Sequence, residues 1–217
     1  MRFNFEFSLW ARRLLMLLIG VAVTEFGSQL YVALDIGCDP FMVLVQGIAF
    51  CTGLSYGQAS TAIMLVCLAV IFFAARHHMR PGTIFCMFCL GPIVDFYAWL
   101  FRHIIPTERP VWLTLVLVVV GCIIVSIGVG ISIRSQAGAC ANDLIPVVLE
   151  EKTRMQLRTA RMLMDGSCIA VGFLLGGVVG FGTLIALTLF GPGLQFFLPI
   201  ANRLSGWLRI SPEGKPG

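Results

Sequence analysis

Gly182-Thr183-Leu184-Ile185-Ala186-Leu187-Thr188-Leu189-Phe190-Gly191-Pro192 repeats the frame of Gly82-Thr83-Ile84-Phe85-Cys86-Met87-Phe88-Cys89-Leu90-Gly91-Pro92. In both, Gly-Thr opens an apolar run and Gly-Pro interrupts it nine positions later. A polar residue follows three positions after each Pro, Asp95 in one copy and Gln195 in the other. The chain contains itself twice, and the repeat is the first thing any fold must explain. Working outward, Gly121 and Gly128 stand 101 residues after Gly20 and Gly27. Likewise, Gln136-Ala137-Gly138-Ala139-Cys140-Ala141-Asn142-Asp143 stands where Asp35-Ile36-Gly37-Cys38-Asp39-Pro40 stood.

The chain has 217 residues, 58% of them hydrophobic and only 12% charged, with a mean hydropathy of +0.93. A soluble core of this length could not hide that much apolar surface, and soluble domains carry about 25% charged residues. Several apolar runs reach the roughly 18–20 residues that cross a bilayer. In lipid the backbone must satisfy its own hydrogen bonds, so such runs without strand alternation are helices. The class is therefore an all-α, polytopic membrane protein. The net charge of +4 is no argument for nucleic acid, and no nucleic-acid partner is expected. Arg2 to Arg13 followed by Leu14 to Val23 has the basic start and apolar middle of a signal peptide. It lacks a small-x-small cleavage site and belongs to the repeat, so it reads as the first span.

The spans are expected at Leu14–Leu34, Tyr56–Ala75, Gly82–Arg102, Val111–Ile133, Ala160–Val179 and Gly182–Ala201. Two helices too short to span stand between them, Pro40–Cys51 and Leu144–Lys152. Each is re-entrant or interfacial. Asp39 before Pro40 is a helix-start signal, and Asn142 and Asp143 are expected to cap the second short helix in the same way. Residues 14–105 form one repeat and 111–202 the other, with 203–217 as a polar tail.

Three spans per repeat is an odd number, so the second copy enters the membrane from the opposite side. The halves are then inverted about an axis in the membrane plane. Positive charge gives the same topology. With the N-terminus inside, thirteen of the fifteen Lys and Arg residues fall on the cytoplasmic side, leaving only Arg102 and Arg109 outside. Both termini are expected in the cytoplasm.

Ionisable groups at mid-span cost about 2.5 kcal/mol or more and mark a pathway or a partner. Glu25 is the deepest, with Gln29 one turn away. Asp95 and Gln195 are expected to face one interior as repeat mates. Arg161 and Asp165 are spaced for an ion pair on one helix face. Arg134 would contact an anion if its surroundings line a cavity, and otherwise snorkels to the interface. Free N–H groups at the starts of the two short helices would favour an anionic group. Asp39, Asn142 and Asp143 occupy those starts and add negative charge, which leaves cationic and neutral solutes open.

Cys86-x-x-Cys89 has redox and zinc spacing but no second ligand pair, so no metal site is expected. The eight cysteines read as small hydrophobes. His77-His78 reads as an interfacial loop. The run Gly172-x-x-x-Gly176-Gly177-x-x-Gly180 reads as a packing face. No nucleophile with a base and no phosphate loop appears, so neither an enzyme nor a cofactor is expected.

Taken together, several motifs give the chain a likeness to a known group. These are Gly138-Ala139-x-x-Asn142-Asp143, Arg158 to Asp165 with Arg161, and Gly176-Gly177-x-x-Gly180-Phe181-Gly182-Thr183. Gly191-Pro192-x-x-Gln195, Gly37-x-x-Pro40 and Gly82-Thr83 complete the set. The chain resembles the bacterial YczE/YyaS/YitT group of membrane proteins over Gly20 to Ala201, best in the second half. Members usually carry Glu where Asp165 stands, and an aromatic–acid pair where this chain has Phe41-Met42. The resemblance implies the architecture and a location in the bacterial cytoplasmic (inner) membrane, without an assigned activity.

The residues read as a small inverted-repeat permease for a small polar or anionic solute, with its site between the halves. The alternatives are a non-transporting subunit or accessory protein, with a substrate-binding or regulatory role in a larger complex, and a passive channel. Lipid, a small molecule or ion, and a partner subunit or second copy are the expected partners.

Overall fold

A computed structural model describes residues 2–76, 79–106, 110–138, 140–185 and positions 188, 193, 196, 197, 199 and 203. The described helices are α1 (Arg2–Leu34), α2 (Pro40–Thr52), α3 (Tyr56–Ala74), α4 (Pro81–Ile104), α5 (Val111–Arg134), α6 (Ala141–Thr153) and α7 (Leu157–Leu174). A further helical segment begins at 181. No strand occurs among the described residues.

Local chemistry sets the helix ends. Asp39 caps α2 by accepting the Met42 N–H at 3.2 Å. Pro40 supplies the first helical position, where a missing N–H costs nothing. Gly53, left-handed at φ 72°, ends α2 by returning its N–H to Ala49. Ser55 and Gln58 form a capping box at the start of α3. Two boundaries differ from the sequence expectation. α6 starts at Ala141 rather than Leu144, with Cys140 at its cap position and no side-chain cap bond. Asn142 and Asp143 therefore lie inside the first turn and are not caps. An acid is stabilised there as well, by the positive end of the helix dipole. The fifth expected span also stops early, because α7 ends at Leu174 and Gly176 turns the chain at φ 95°.

Among the described residues, four helices are long and apolar enough to cross a membrane: Leu9–Leu34, Tyr56–Ala74, Pro81–Ile104 and Val111–Arg134. Their outward faces carry bare aromatics and aliphatics, including Phe73, Phe88, Trp112 and Trp99. An apolar belt of that extent needs lipid or protein against it. α7 carries Arg161 and Asp165 within 18 residues and is about 27 Å long at 1.5 Å per residue. Of the sixth expected span, only its first residues and scattered positions are described.

The backbone repeats more closely than the side chains do. Left-handed residues recur in three pairs, each 101 positions apart: Asp35 and Gln136 (φ 55° and 54°), Gly37 and Gly138 (99° and 143°), Gly53 and Arg154 (72° and 57°). α2 and α6 both have 13 residues. Contacts between the two copies are reciprocal. The Gly82 N–H donates to the Ala137 carbonyl at 3.2 Å, and the Gly182 N–H donates to the Ile36 carbonyl at 2.9 Å. α2 packs on α7, and α3 packs on α6.

α1 and α5 cross antiparallel at the centre. Gly20 lies against Gly128 and Ser132, and Gly27 lies against Gly121 and Val125. Adding 101 to one partner and subtracting it from the other turns the Gly20–Ser132 contact into Gly121–Tyr31. The same shift turns Gly27–Val125 into Gly128–Thr24, and both derived contacts are present. Small residues allow this approach where lipid removes any hydrophobic drive to associate. The Tyr31 hydroxyl donates to the Val118 carbonyl at 2.9 Å and locks the crossing. One core gathers around Leu34, Cys38, Met42, Val43 and Val45, and a second around Leu17, Met64, Ile71 and Val94.

Candidate functional site

Two polar regions lie on either side of the Glu25–Gln29 turn of α1. The first is a charge cluster where the starts of the two short helices approach α7. Arg161 Nη1 donates to Asp143 at 2.8 Å, and its Nε donates to Asp165 at 3.3 Å. The i,i+4 pair expected on α7 is present, and α6 adds a second carboxylate to it. Asp39, at the start of α2, lies within the electrostatic reach of Arg161 and Asp165 and within hydrogen-bonding reach of Ser28. Glu25 in turn lies within the electrostatic reach of Asp39 and of the Cys140 cap of α6. Two carboxylates thus bond one guanidinium, with Asp39 within its electrostatic reach and Glu25 within that of Asp39. Arg161 and Asp143 are partly exposed, at 43% and 39% of their side chains, so their bond is weaker than a fully enclosed pair would be.

Glu25 and Gln29 are both buried, at 8% and 1% exposure. Glu25 Oε2 has no hydrogen-bond partner, and neither does either polar atom of the Gln29 amide. Asn142 Oδ1 is in the same condition. Leaving such a group dry and unpaired costs about 1–3 kcal/mol, so these positions call for something to bind.

The second region is an open vestibule of about 1080 Å³ between the end of α1, the start of α3 and the end of α4. Gln29 is part of its lining, with Asp35, Ser55, Asp95, Trp99 and Arg102. Asp95 already serves the fold here. Its carboxylate accepts the Gly57 N–H and the Ser55 hydroxyl, each at 2.8 Å, and so holds the first turn of α3. Asp95→Ala is expected to lower stability by about 1–2 kcal/mol, the usual value of an N-terminal carboxylate. Asp95→Asn should retain most of it, because its carbonyl oxygen can still accept one bond. Thermal unfolding in detergent checks this, and equal losses in both variants would refute it.

The structure thus brings Glu25, Asp39, Asp143, Arg161 and Asp165 together, with Gln29 one turn away and Asn142 on the same end of α6. Asp95 stands apart in the vestibule. Arg134 closes α5 beside the Ser135–Ala137 seam, with its Nε buried and unpaired. Gln195 lies outside the described residues. Sequence reading missed Ser28, although it adjoins Gln29 in sequence. It also missed Cys140, whose sulfur lies 2.9 Å from that of Cys86. Gln46 was missed as well, although its polarity inside an apolar helix was a signal. Its Oε1 accepts the Val178 N–H at 3.1 Å and ties α2 to the segment after α7. No group of three or more metal-ligating side chains occurs among the described residues.

Residues 11–199 match the family of unknown function DUF6198. The chain belongs to this family. It is 26% identical over 200 residues to an uncharacterized protein of Haemophilus influenzae, covering 91% of this chain and 89% of that protein. It is 26% identical over 191 residues to the uncharacterized membrane protein YczE of Bacillus subtilis, covering 88% and 84%. Similarity to the uncharacterized protein YyaS of the same organism is 22% over 188 residues, covering 85% and 92%. The expected likeness to YczE and YyaS is therefore present along most of the chain. No solved structure matches it. The YczE relation and the four apolar spans together make this DUF6198 chain a multi-pass membrane protein.

Proposed function

We propose that this DUF6198 protein is a permease for a small polar solute, built from two inverted halves of three spans each. Residues 14–105 form one half and 111–202 the other, with 203–217 as a cytoplasmic tail. Both termini face the cytoplasm of a bacterium, and the chain sits in the inner membrane. Antiparallel α1 and α5 at equivalent repeat positions, with reciprocal bonds from Gly82 and Gly182, support the inverted arrangement. Inverted repeats that meet around interrupted or short helices place solute sites near mid-membrane.

One observation carries the transport reading. Glu25 and Gln29 are buried at the crossing without partners, between a vestibule on one side and the starts of both short helices on the other. A purely structural role would have paired them, since an intramembrane carboxylate is costly and normally faces a pathway or a partner.

The test is tracer uptake into proteoliposomes containing the full chain, using radiolabelled methylammonium, glycine and acetate. At least one should enter at least tenfold faster than into empty liposomes, with saturation. If all three enter at the empty-liposome rate while the protein is folded and monodisperse, the permease reading fails.

A further inference from the structure

The sign of charge at the central site follows from an inventory of its groups. Among the described residues, Arg161 is the cation bonded to the cluster, and its partners there are Asp143 and Asp165. Those two carboxylates use up its charge and more. Glu25 and Asp39 remain, on α1 and at the α2 cap, each within the electrostatic reach of the other. Asp39 accepts the Met42 N–H, which offsets part of its charge. Glu25 has no such compensation at Oε2, although it is 8% exposed.

Hydrogen bonding gives the same sign independently. Glu25 Oε2, Gln29 Oε1 and Asn142 Oδ1 are all buried acceptors without a donor. Among these three side chains one donor is unmet, Gln29 Nε2, and a further unmet donor, Arg134 Nε, lies at the end of α5. An ammonium group has donors only and carries the missing charge. A carboxylate or phosphate would bring further acceptors and further negative charge to a site that already has an excess of both. A bare metal ion is a poorer match, because the described residues hold no group of three ligating side chains.

We propose that the site at Glu25 binds a protonated amine, with the Glu25 carboxylate as its counter-ion and Gln29 and Asn142 as acceptors for its N–H groups. The inference deepens the permease reading by naming its solute class, and as a binding claim it stands or falls separately. Gln29, which lines the vestibule and stands one turn from Glu25, links the vestibule to the site.

The experiment is ligand-dependent thermal stability of the full chain in detergent, with methylammonium chloride as the probe. Sodium chloride at equal ionic strength and sodium acetate are the comparisons. Methylammonium should raise the unfolding temperature saturably, and the two sodium salts should not. Glu25→Gln should weaken the apparent affinity at least tenfold. If Glu25→Gln does not fold, Glu25→Asp and Gln29→Leu take its place, each with at least a threefold loss. Equal stabilisation by sodium chloride, stabilisation by acetate in place of methylammonium, or an unchanged affinity in every variant that folds would overturn the proposal. Binding without uptake would leave the amine site standing and remove the permease reading. Uptake of acetate or glycine without methylammonium binding would do the reverse.

Discussion

Gly37→Ala is expected to abolish recovery of folded protein, whereas Gly53→Ala should cost only a few degrees in unfolding temperature. Both glycines have positive φ, at 99° and 72°. The difference lies in what surrounds them and how far each is from the left-handed minimum. A methyl group on Gly37 would fall 2.5 Å from the Gly180 nitrogen and 2.6 Å from Thr183 Oγ1, whereas one on Gly53 would meet nothing within 4 Å. The nearest atom at Gly37 is backbone, on the segment whose Gly182 N–H donates to Ile36. Relief therefore requires opening the bond that joins the two copies.

Backbone strain of about 1–3 kcal/mol adds to an overpacking cost of similar size. Together these are a large fraction of the roughly 5–15 kcal/mol that holds a domain folded. At Gly53 only the left-handed penalty applies, about 1–2 kcal/mol. The repeat supplies its own control. Arg154 occupies the position equivalent to Gly53, at φ 57°, with a full side chain, whereas the mate of Gly37 is Gly138. Size-exclusion profiles of the two variants from equal expression check the contrast. Comparable losses for both would show that φ alone governs, and that the seam is not close-packed.

That seam marks the limit of what the sequence makes legible. The offset of 100 to 101, the glycines at 20, 27, 121 and 128, the Asp39 cap and the Arg161–Asp165 spacing are all local or periodic features, and each is present as read. Reciprocity is not local. Nothing along the chain says that Gly82 bonds Ala137, or that Asp143 reaches Arg161 from another helix, because those contacts exist only once the chain has folded back and, for the second, α6 packs on α7. The misplacement of Asn142 and Asp143 as caps has a simple cause. Acids are favoured both at a helix cap and inside the first turn, and composition does not separate the two. Strict use of the repeat would have separated them, since Asp39 aligns with Cys140 and Pro40 with Ala141. The ends of α7 misled for the opposite reason. Its glycines do pack, Gly172 and Gly177 against Val43 and Gly180 against Ile36, yet Gly176 is left-handed and ends the helix, so the packing face runs on past it.

The second large effect is expected at the α1–α5 crossing, where Gly128→Ala should destabilise strongly and Gly121→Ala should be close to neutral. In an exposed helix the change from Gly to Ala gains about 1 kcal/mol of helix propensity, so any net loss must come from contact. At Gly128 the added methyl would press on the Thr24 backbone nitrogen and lie 2.8 Å from the Gly20 carbonyl oxygen. At Gly20 it would lie 2.7 Å from the Ser132 nitrogen and 2.9 Å from the Gly128 oxygen. Backbone atoms cannot rotate aside, so both helices must separate, and lipid offers no hydrophobic drive to hold them. Overpacking of this kind costs about 1–3 kcal/mol, which exceeds the propensity gain at its upper end.

At Gly121 the nearest atoms are the edge of the Tyr31 ring, at 3.1 and 3.4 Å. A ring can yield a few tenths of an ångström even while its hydroxyl stays on Val118. Gly27 falls between these cases, since its closest neighbour, at 2.6 Å, is a Val125 methyl and its next, at 2.9 Å, is the Gly121 oxygen. The expected order of unfolding temperatures is Gly121→Ala highest, then Gly27→Ala, then Gly20→Ala and Gly128→Ala. An inverted order, or four equal shifts, would mean that the helices cross farther apart than these contacts require. The gradation matters for function as well, because Glu25 lies between Gly20 and Gly27 on the same helix. A wedge at Gly128 that spreads α1 from α5 also admits water to the carboxylate, so its affinity for methylammonium should fall along with its stability. Gly121→Ala, farther along the crossing and cushioned by a ring, should leave that affinity intact.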